Sequence, residues 1–217
     1  MHFIGREPEI ARAETALDGG RNVILTGKYG IGRTALMREI ARRNPTWRFI
    51  FANFGDTGAT IAAGVLAQLT GRTPHSLRET RRARQLARAV AAYAPPKTVR
   101  RIVIALDNIA KVTKPKLDLI RLLRESPGLA FVAIVEHFTR DEDLMRMRIA
   151  LDPAIVVKLG ALDAETSARF FATAAAEFHL SWNESDVALL AHTLHGYPLE
   201  MVRTVRAAQR RAHEVRS

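Results

Sequence analysis

The 217-residue chain has no cysteine, which excludes disulfides and thiolate-ligated zinc. None of its apolar runs approaches the roughly 18 to 20 residues that a bilayer-spanning helix needs. No signal peptide is seen ahead of the first expected strand. The seven histidines are scattered, with no i,i+4 pair that would suggest a metal site. Low-complexity linkers and internal repeats are missing as well. These absences predict a cytoplasmic protein without membrane contact. Acidic residues are the scarcer charge: 22 Asp and Glu face 33 Lys and Arg, leaving a formal net charge of +11. Most of the excess is arginine, which suits phosphate contact. A high-GC genome would enrich Arg and Ala in the same way, so charge alone does not decide the partner.

What is present begins at Val23-Ile24-Leu25, an apolar run that leads directly into Gly27-Lys28-Tyr29-Gly30-Ile31-Gly32-Arg33-Thr34-Ala35. The spacing is that of a phosphate-binding P-loop, G-x-x-x-x-G-K-[ST], with Arg33 in the place of the lysine. A buried strand delivers the chain to a glycine-rich turn, and the following helix adds its unpaired N–H groups and dipole. A polyphosphate is then held largely by main chain. Gly27, Gly30 and Gly32 permit the turn, and Thr34 supplies a hydroxyl for Mg²⁺. Arg33 keeps the charge but replaces a flexible ammonium with a planar guanidinium.

A second strand pattern, Arg101-Ile102-Val103-Ile104-Ala105-Leu106, ends in Asp107-Asn108. This is the Walker B arrangement, in which the strand-end acid holds Mg²⁺. Hydrolysing members carry a glutamate next, as the base for the attacking water. Asn108 can orient water but cannot accept its proton. Nucleotide binding with slow hydrolysis at most is the expectation.

The remaining pattern alternates. Helices are expected at about 9–17, 33–43, 58–69, 76–93 and 115–125, and strands at about 22–26, 47–54, 101–106, 129–135 and 155–159. That order predicts an α/β fold: a parallel, doubly wound, five-stranded sheet covered on both faces, with ligands at the carboxyl ends of the strands. After Gly160 only helices are expected, giving a core at 1–160 and a helical lid at 161–217.

Taken together, these residues resemble the AAA+ and STAND families of P-loop ATPases, in particular the branch of archaeal-type ATPases, origin initiators and transposition regulators. Phe3-Ile4-Gly5-Arg6-Glu7-Pro8-Glu9 looks like the entry segment that wraps the adenine in those families, so Ile4 and Arg6 join Tyr29, Ile31, Arg33 and Ala35 as expected nucleotide contacts. Leu159-Gly160-Ala161-Leu162 is similar to the join between core and lid. Gly196-Tyr197-Pro198-Leu199 looks like the lid motif whose proline, here Pro198, packs near the nucleotide. The resemblance implies ATP or ADP with Mg²⁺ as cofactors, the metal held by Thr34 and Asp107.

The departures are equally specific. Glu136 and His137 stand where members of these families carry a polar sensor residue, and no arginine directly follows Pro198. Arg203 lies one turn further on. Arg146 and Arg148 fall in the region from which many members reach a neighbour's nucleotide, which implies a homo-oligomeric ring or filament. Asp107, Asn108, Glu136, Arg146 and Arg148 therefore form the candidate catalytic set. Basic residues Arg72, Arg78, Arg81, Arg82, Lys111, Lys114 and Lys116, together with the row Arg203, Arg206 and Arg210, form candidate phosphate-contacting surfaces. Of these, Arg78, Arg81, Arg82, Lys111, Lys114 and Lys116 are the expected DNA contacts. They carry no interleaved aromatics for base stacking, so duplex DNA bound without sequence preference is the expected partner. A transposase is a candidate protein partner. The alternative is a signalling or scaffold ATPase that switches partner proteins and never touches DNA.

Overall fold

The computed structural model describes residues 3–71, 81–109, 112–126, 128–136 and 141–214, the side chains of 81–84, 86 and 213 excepted. Its organisation follows from strands that are apolar on both faces. Val23, Ile24 and Leu25 are completely buried in β1 (Asn22–Gly27). The other strands are β2 (Trp47–Asn53), β3 (Arg101–Ile109), β4 (Leu129–Glu136) and β5 (Ala154–Lys158). All pairings are parallel and the order is β2-β3-β4-β1-β5. Strand side chains alternate between faces. Ile24, Ile104 and Phe131 therefore enter one core, and Val23, Leu25, Val103 and Val132 enter the other.

Helices cover both faces, as the five-stranded doubly wound expectation requires. On one face α1 (Glu7–Asp18) contributes Ile10 and Leu17, and α2 (Arg33–Arg43) contributes Leu36, Met37 and Ile40. On the other lie α3 (Gly58–Thr70), α4 (Arg81–Ala91) and α5 (Lys114–Arg124), which contribute Ile61 and Val65, Ala87 and Val90, and Leu117 and Ile120. Burying apolar surface at about 25 cal/mol per Å² makes these two layers the main source of stability. A sixth helix, α6 (Asp141–Ala150), stands between β4 and β5, where none was expected. Its sequence signal is an acidic first turn, Asp141 to Asp143, which suits the helix dipole, followed by Met147 and Ala150 on the buried side. Buried Asn22 ties this region to the sheet: its amide donates to the Leu151 carbonyl at 2.7 Å and accepts from the Phe131 N–H at 2.8 Å.

Beyond β5 come α7 (Ala164–Phe178), α8 (Glu184–Thr193) and α9 (Pro198–Glu214). They enclose a third core of Phe170, Phe171, Ala174, Met201 and Val205. Asp163 caps α7 by accepting from the Thr166 N–H at 2.6 Å, and that bond holds its carboxyl below the usual range. Asn183 and Asp186 form a reciprocal capping box at the start of α8. Gly196, at φ +67°, packs its α-carbon onto the Leu162 backbone, and a Cβ there would lie 1.8 Å from the Leu162 carbonyl oxygen. The Leu162 N–H in turn donates to the Gly196 carbonyl at 2.9 Å. Only glycine permits this seam.

Glu39 on α2 is buried yet charged. It accepts from Arg42 at 2.7 and 2.8 Å and from Arg43 at 2.8 Å. These bonds, those from Arg42 foremost, hold its carboxyl near pKa 2 rather than 4.5 against the opposing effect of burial. A depressed pKa stabilises the fold above the unfolded value and loses that contribution as pH falls through the folded one. The melting temperature should therefore decline between pH 4.5 and about 2, and Glu39→Gln should flatten the decline, as thermal melts of both proteins across that range would show.

Candidate functional site

At the end of β1 the chain turns at Gly27, where a Cβ would stand 2.8 Å from Ile31 and 3.0 Å from the Leu159 carbonyl. Gly30 and Gly32 follow at φ +76° and +96°, the left-handed region that glycine enters without penalty. Around Gly32 there is open space, and no side chain caps α2 there. The first-turn N–H groups of α2 are thus left for an anion.

Thr34, in that first turn, donates from its hydroxyl to Asp107 Oδ2 at 2.9 Å. The two groups expected to share a metal are in contact across the sheet. Asp107 also accepts the Asn108 N–H at 2.8 Å. Here β3 runs three residues further than the apolar pattern indicates, because its pairing with β4 shifts register between Leu106 and Ile109. The irregularity puts Asn108 at φ +57°, a conformation that asparagine tolerates better than most residues. Its amide donates to Asn53 Oδ1 at 3.2 Å, and Asn53 also accepts the Gly55 N–H. Asn53 belongs to the site and carries no signal in the sequence, since only strand pairing sets it opposite Asp107.

Arg33 and Glu136 form an ion pair at 3.7 Å. Glu136 ends β4, in register with Gly27. Arg6, buried, reaches the Gly160 carbonyl at 2.5 Å and the Ile31 carbonyl at 3.5 Å, and it pairs with Glu9. It thereby staples the P-loop to the join before α7.

Beside the P-loop opens an apolar cavity of about 220 Å³, lined by Ile4, Arg6, Gly32, Ala35, Pro198 and Met201, among others. Pockets that enclose a whole drug-sized ligand measure roughly 300–1,000 Å³. This one suits a single ring system, with the phosphates outside it on the P-loop. Six residues from the sequence reading, Ile4, Arg6, Ile31, Gly32, Ala35 and Pro198, meet in its wall. Leu162, Phe170, Met201 and Val202 were not anticipated there. Two bonds join the start of α9 and the residue before it to the loop: the Tyr197 hydroxyl donates to the Tyr29 carbonyl, and the Leu199 N–H donates to the Gly30 carbonyl at 3.1 Å. The Tyr29 side chain itself is exposed. Apolar walls, the free first turn of α2 and the Thr34–Asp107 pair fit a purine nucleotide with Mg²⁺, a group that would supply the phosphates and the metal charge.

The basic surface differs in part from expectation. Lys116 is buried, its ammonium donating to the Phe54 carbonyl at 2.5 Å and lying over the Phe54 ring at 4.8 Å. It locks α5 to the end of β2 and does not face solvent, because the position falls on the helix's core-facing stripe. Lys114 is exposed. Arg72, Arg78, Lys111 and His137 lie outside the described residues. Arg81 and Arg82 begin α4, and their side chains also lie outside. Arg146 binds Glu142 at 2.5 Å and approaches Asp143 at 3.8 Å on its own helix, while Arg148 is exposed. Arg203 pairs with Glu200 at 2.8 Å, and Arg206 and Arg210 are exposed beside it. Among the described residues no helix is long and apolar enough to cross a membrane.

This architecture is shared with solved structures. The Aeropyrum pernix Orc1 protein, determined in complex with DNA, superposes with a TM-score of 0.73 at 18% identity, over 100% of this chain and 62% of that one. The A. pernix Orc2 protein in its ADP form gives 0.69 at 17% identity, over 99% of this chain and 66% of that one. The Thermotoga maritima RuvB Holliday junction branch migration motor gives 0.64 at 17%, over 94% and 61%. The chain thus spans about three fifths to two thirds of the length of these proteins, and the likeness is one of fold. Among curated proteins no sequence matches it. The family model described as AAA ATPase domain matches residues 2–177, which include the P-loop, Asp107 and Glu136. That fold implies nucleotide binding, usually with Mg²⁺. The chain belongs to the AAA ATPase domain family and has its P-loop ATPase fold.

Proposed function

We propose that the chain is a nucleotide-operated switch that binds ATP or ADP with Mg²⁺ and hydrolyses slowly or not at all. The contact between Thr34 and Asp107 carries this reading: the metal-side groups meet at 2.9 Å, beside open helix N–H groups and an apolar cavity. The P-loop backbone would hold the phosphates with Arg33 beside the outermost one, Thr34 and Asp107 the metal, and Ile4, Ala35 and Pro198 the base. Asn108 offers an amide in place of a base, and phosphoryl transfer depends on positioning and charge. Residues 161–217 act as the lid over a core at 1–160. The bonds of Tyr197 and Leu199 to the P-loop give nucleotide a direct mechanical route to it.

Downstream, the same reading has the protein assemble with nucleotide through Arg146 and Arg148 and hold duplex DNA without sequence preference, in the cytoplasm, in the manner of a transposition regulator with a partner such as a transposase. The net charge of +11 and the exposed Lys114, Arg206 and Arg210 support an anionic partner. The second reading, a protein-switching scaffold without DNA, draws support from the lid coupling and from Lys116 and Arg146 being engaged within the fold.

Millimolar Mg-ADP or Mg-ATP should raise the melting temperature by roughly 5–10 °C, from about 2.7 kcal/mol at a hundredfold excess over Kd. Thr34→Ala with Asp107→Ala should abolish the Mg²⁺-dependent part, and a flat response in wild type would refute nucleotide binding. Asn108→Glu should raise a slow phosphate-release rate at least tenfold, although the left-handed backbone there disfavours glutamate by about 1 kcal/mol. Brisk wild-type turnover would contradict the assignment. Sedimentation and gel shifts with nonspecific duplex should show ATP-dependent assembly and binding that falls steeply with salt. Arg146→Ala with Arg148→Ala should lose both, and neutralising Arg78, Arg81 and Arg82 only the DNA. Assembly without DNA binding at low salt would select the scaffold reading.

A further inference from the structure

Arg33 and Glu136 both replace the residues expected at their positions, and the structure sets them against each other. Because β4 lies between β1 and β3, its last residue stands in the mouth between the P-loop and Asp107. Glu136 is in register with Gly27, and its carboxylate is 3.7 Å from the Arg33 guanidinium. Arg33 is only 11% exposed, whereas Glu136 is 37% exposed on the open side. The cation that a P-loop offers to the outer phosphates is thus already engaged, and the group engaging it is an anion facing the same space.

From this we infer that Glu136 sets nucleotide specificity, biasing the site toward a nucleoside diphosphate over a triphosphate. The inference rests on the nucleotide-binding reading above. The inner two phosphates would lie on the P-loop backbone and the N-terminus of α2, interactions that need neither Arg33 nor Glu136. A third phosphate extends toward Asp107 and the tip of β4, where two anions compete for one guanidinium. Mg²⁺, which Thr34 and Asp107 would hold, would offset part of that repulsion, but Glu136 would add a negative charge beside that of Asp107. A guanidinium paired in this way reaches a phosphate only by giving up the Glu136 carboxylate, and its planar fork fits the tight site less readily than a lysine ammonium. The two departures act as one device: Glu136 holds Arg33, and together they leave the outer phosphate position without a free cation.

Isothermal titration with Mg-ADP and with a non-hydrolysable Mg-ATP analogue tests this apart from any turnover. Wild type should bind ADP at least tenfold more tightly than the analogue. Glu136→Gln should raise analogue affinity about tenfold and change ADP affinity less than threefold, removing the preference. Arg33→Lys, with Glu136 intact, should also gain analogue affinity, which covers the case in which Glu136→Gln fails to fold. Glu136→Asp should keep the preference. If both nucleotides bind and their affinity ratio is unchanged in Glu136→Gln or in Arg33→Lys, the inference is overturned while nucleotide binding stands. If neither nucleotide binds wild type, both readings fall.

Discussion

The contact between the Thr34 hydroxyl and the Asp107 carboxylate depends on almost everything else in the molecule. The two residues lie on different elements, and β4 stands between the strands β1 and β3 that lead to them, yet their side chains meet. They do so because β1, β4 and β3 end at the same level of a parallel sheet, with Gly27 opposite Glu136 and Leu106 opposite Ala133. That level is held by side chains buried on both faces, so a shift of one residue would carry every apolar strand position to the wrong layer. The chemistry at the strand ends is in this sense positioned by the cores beneath it.

A second set of contacts ties the α7–α9 helices to the same point. Arg6 spans from the entry segment to the Ile31 and Gly160 carbonyls. Tyr197 and Leu199 reach the Tyr29 and Gly30 carbonyls, and Leu199 fills the space where a side chain on Gly30 would stand. At the seam itself Gly196 and Leu162 touch backbone to backbone. The P-loop and the start of α9 are therefore joined directly, by a side-chain hydroxyl, a backbone N–H and the packing of Leu199 on Gly30.

The polar residues around the P-loop show how groups gathered in one place depend on one another. Asn108 occupies a left-handed turn within a register shift, and its amide is committed to Asn53. Arg33 is committed to Glu136. Asn108 and Arg33 thus each have a polar partner in the fold. Lys116 makes the same point away from the site: a lysine at a helix start reads as surface charge, but it is drawn inward to satisfy the Phe54 carbonyl.

The elements that the sequence alone determines are those with local physical causes. The glycine spacing specifies the P-loop, because the turn needs positive φ at Gly30 and Gly32 whatever lies around it. The apolar runs specify five buried strands, and their alternation with helices specifies parallel pairing. α6 escaped because its buried face amounts to little more than Met147 and Ala150, too few positions to establish a period. Tertiary structure alone decided that Asn53 would stand beside Asn108, that Glu136 would meet Arg33, and that Tyr197 would reach the Tyr29 carbonyl. Such contacts join residues far apart in the chain through strand order and register, and neither is encoded in any local spacing. They exist only once the two cores have closed around the sheet.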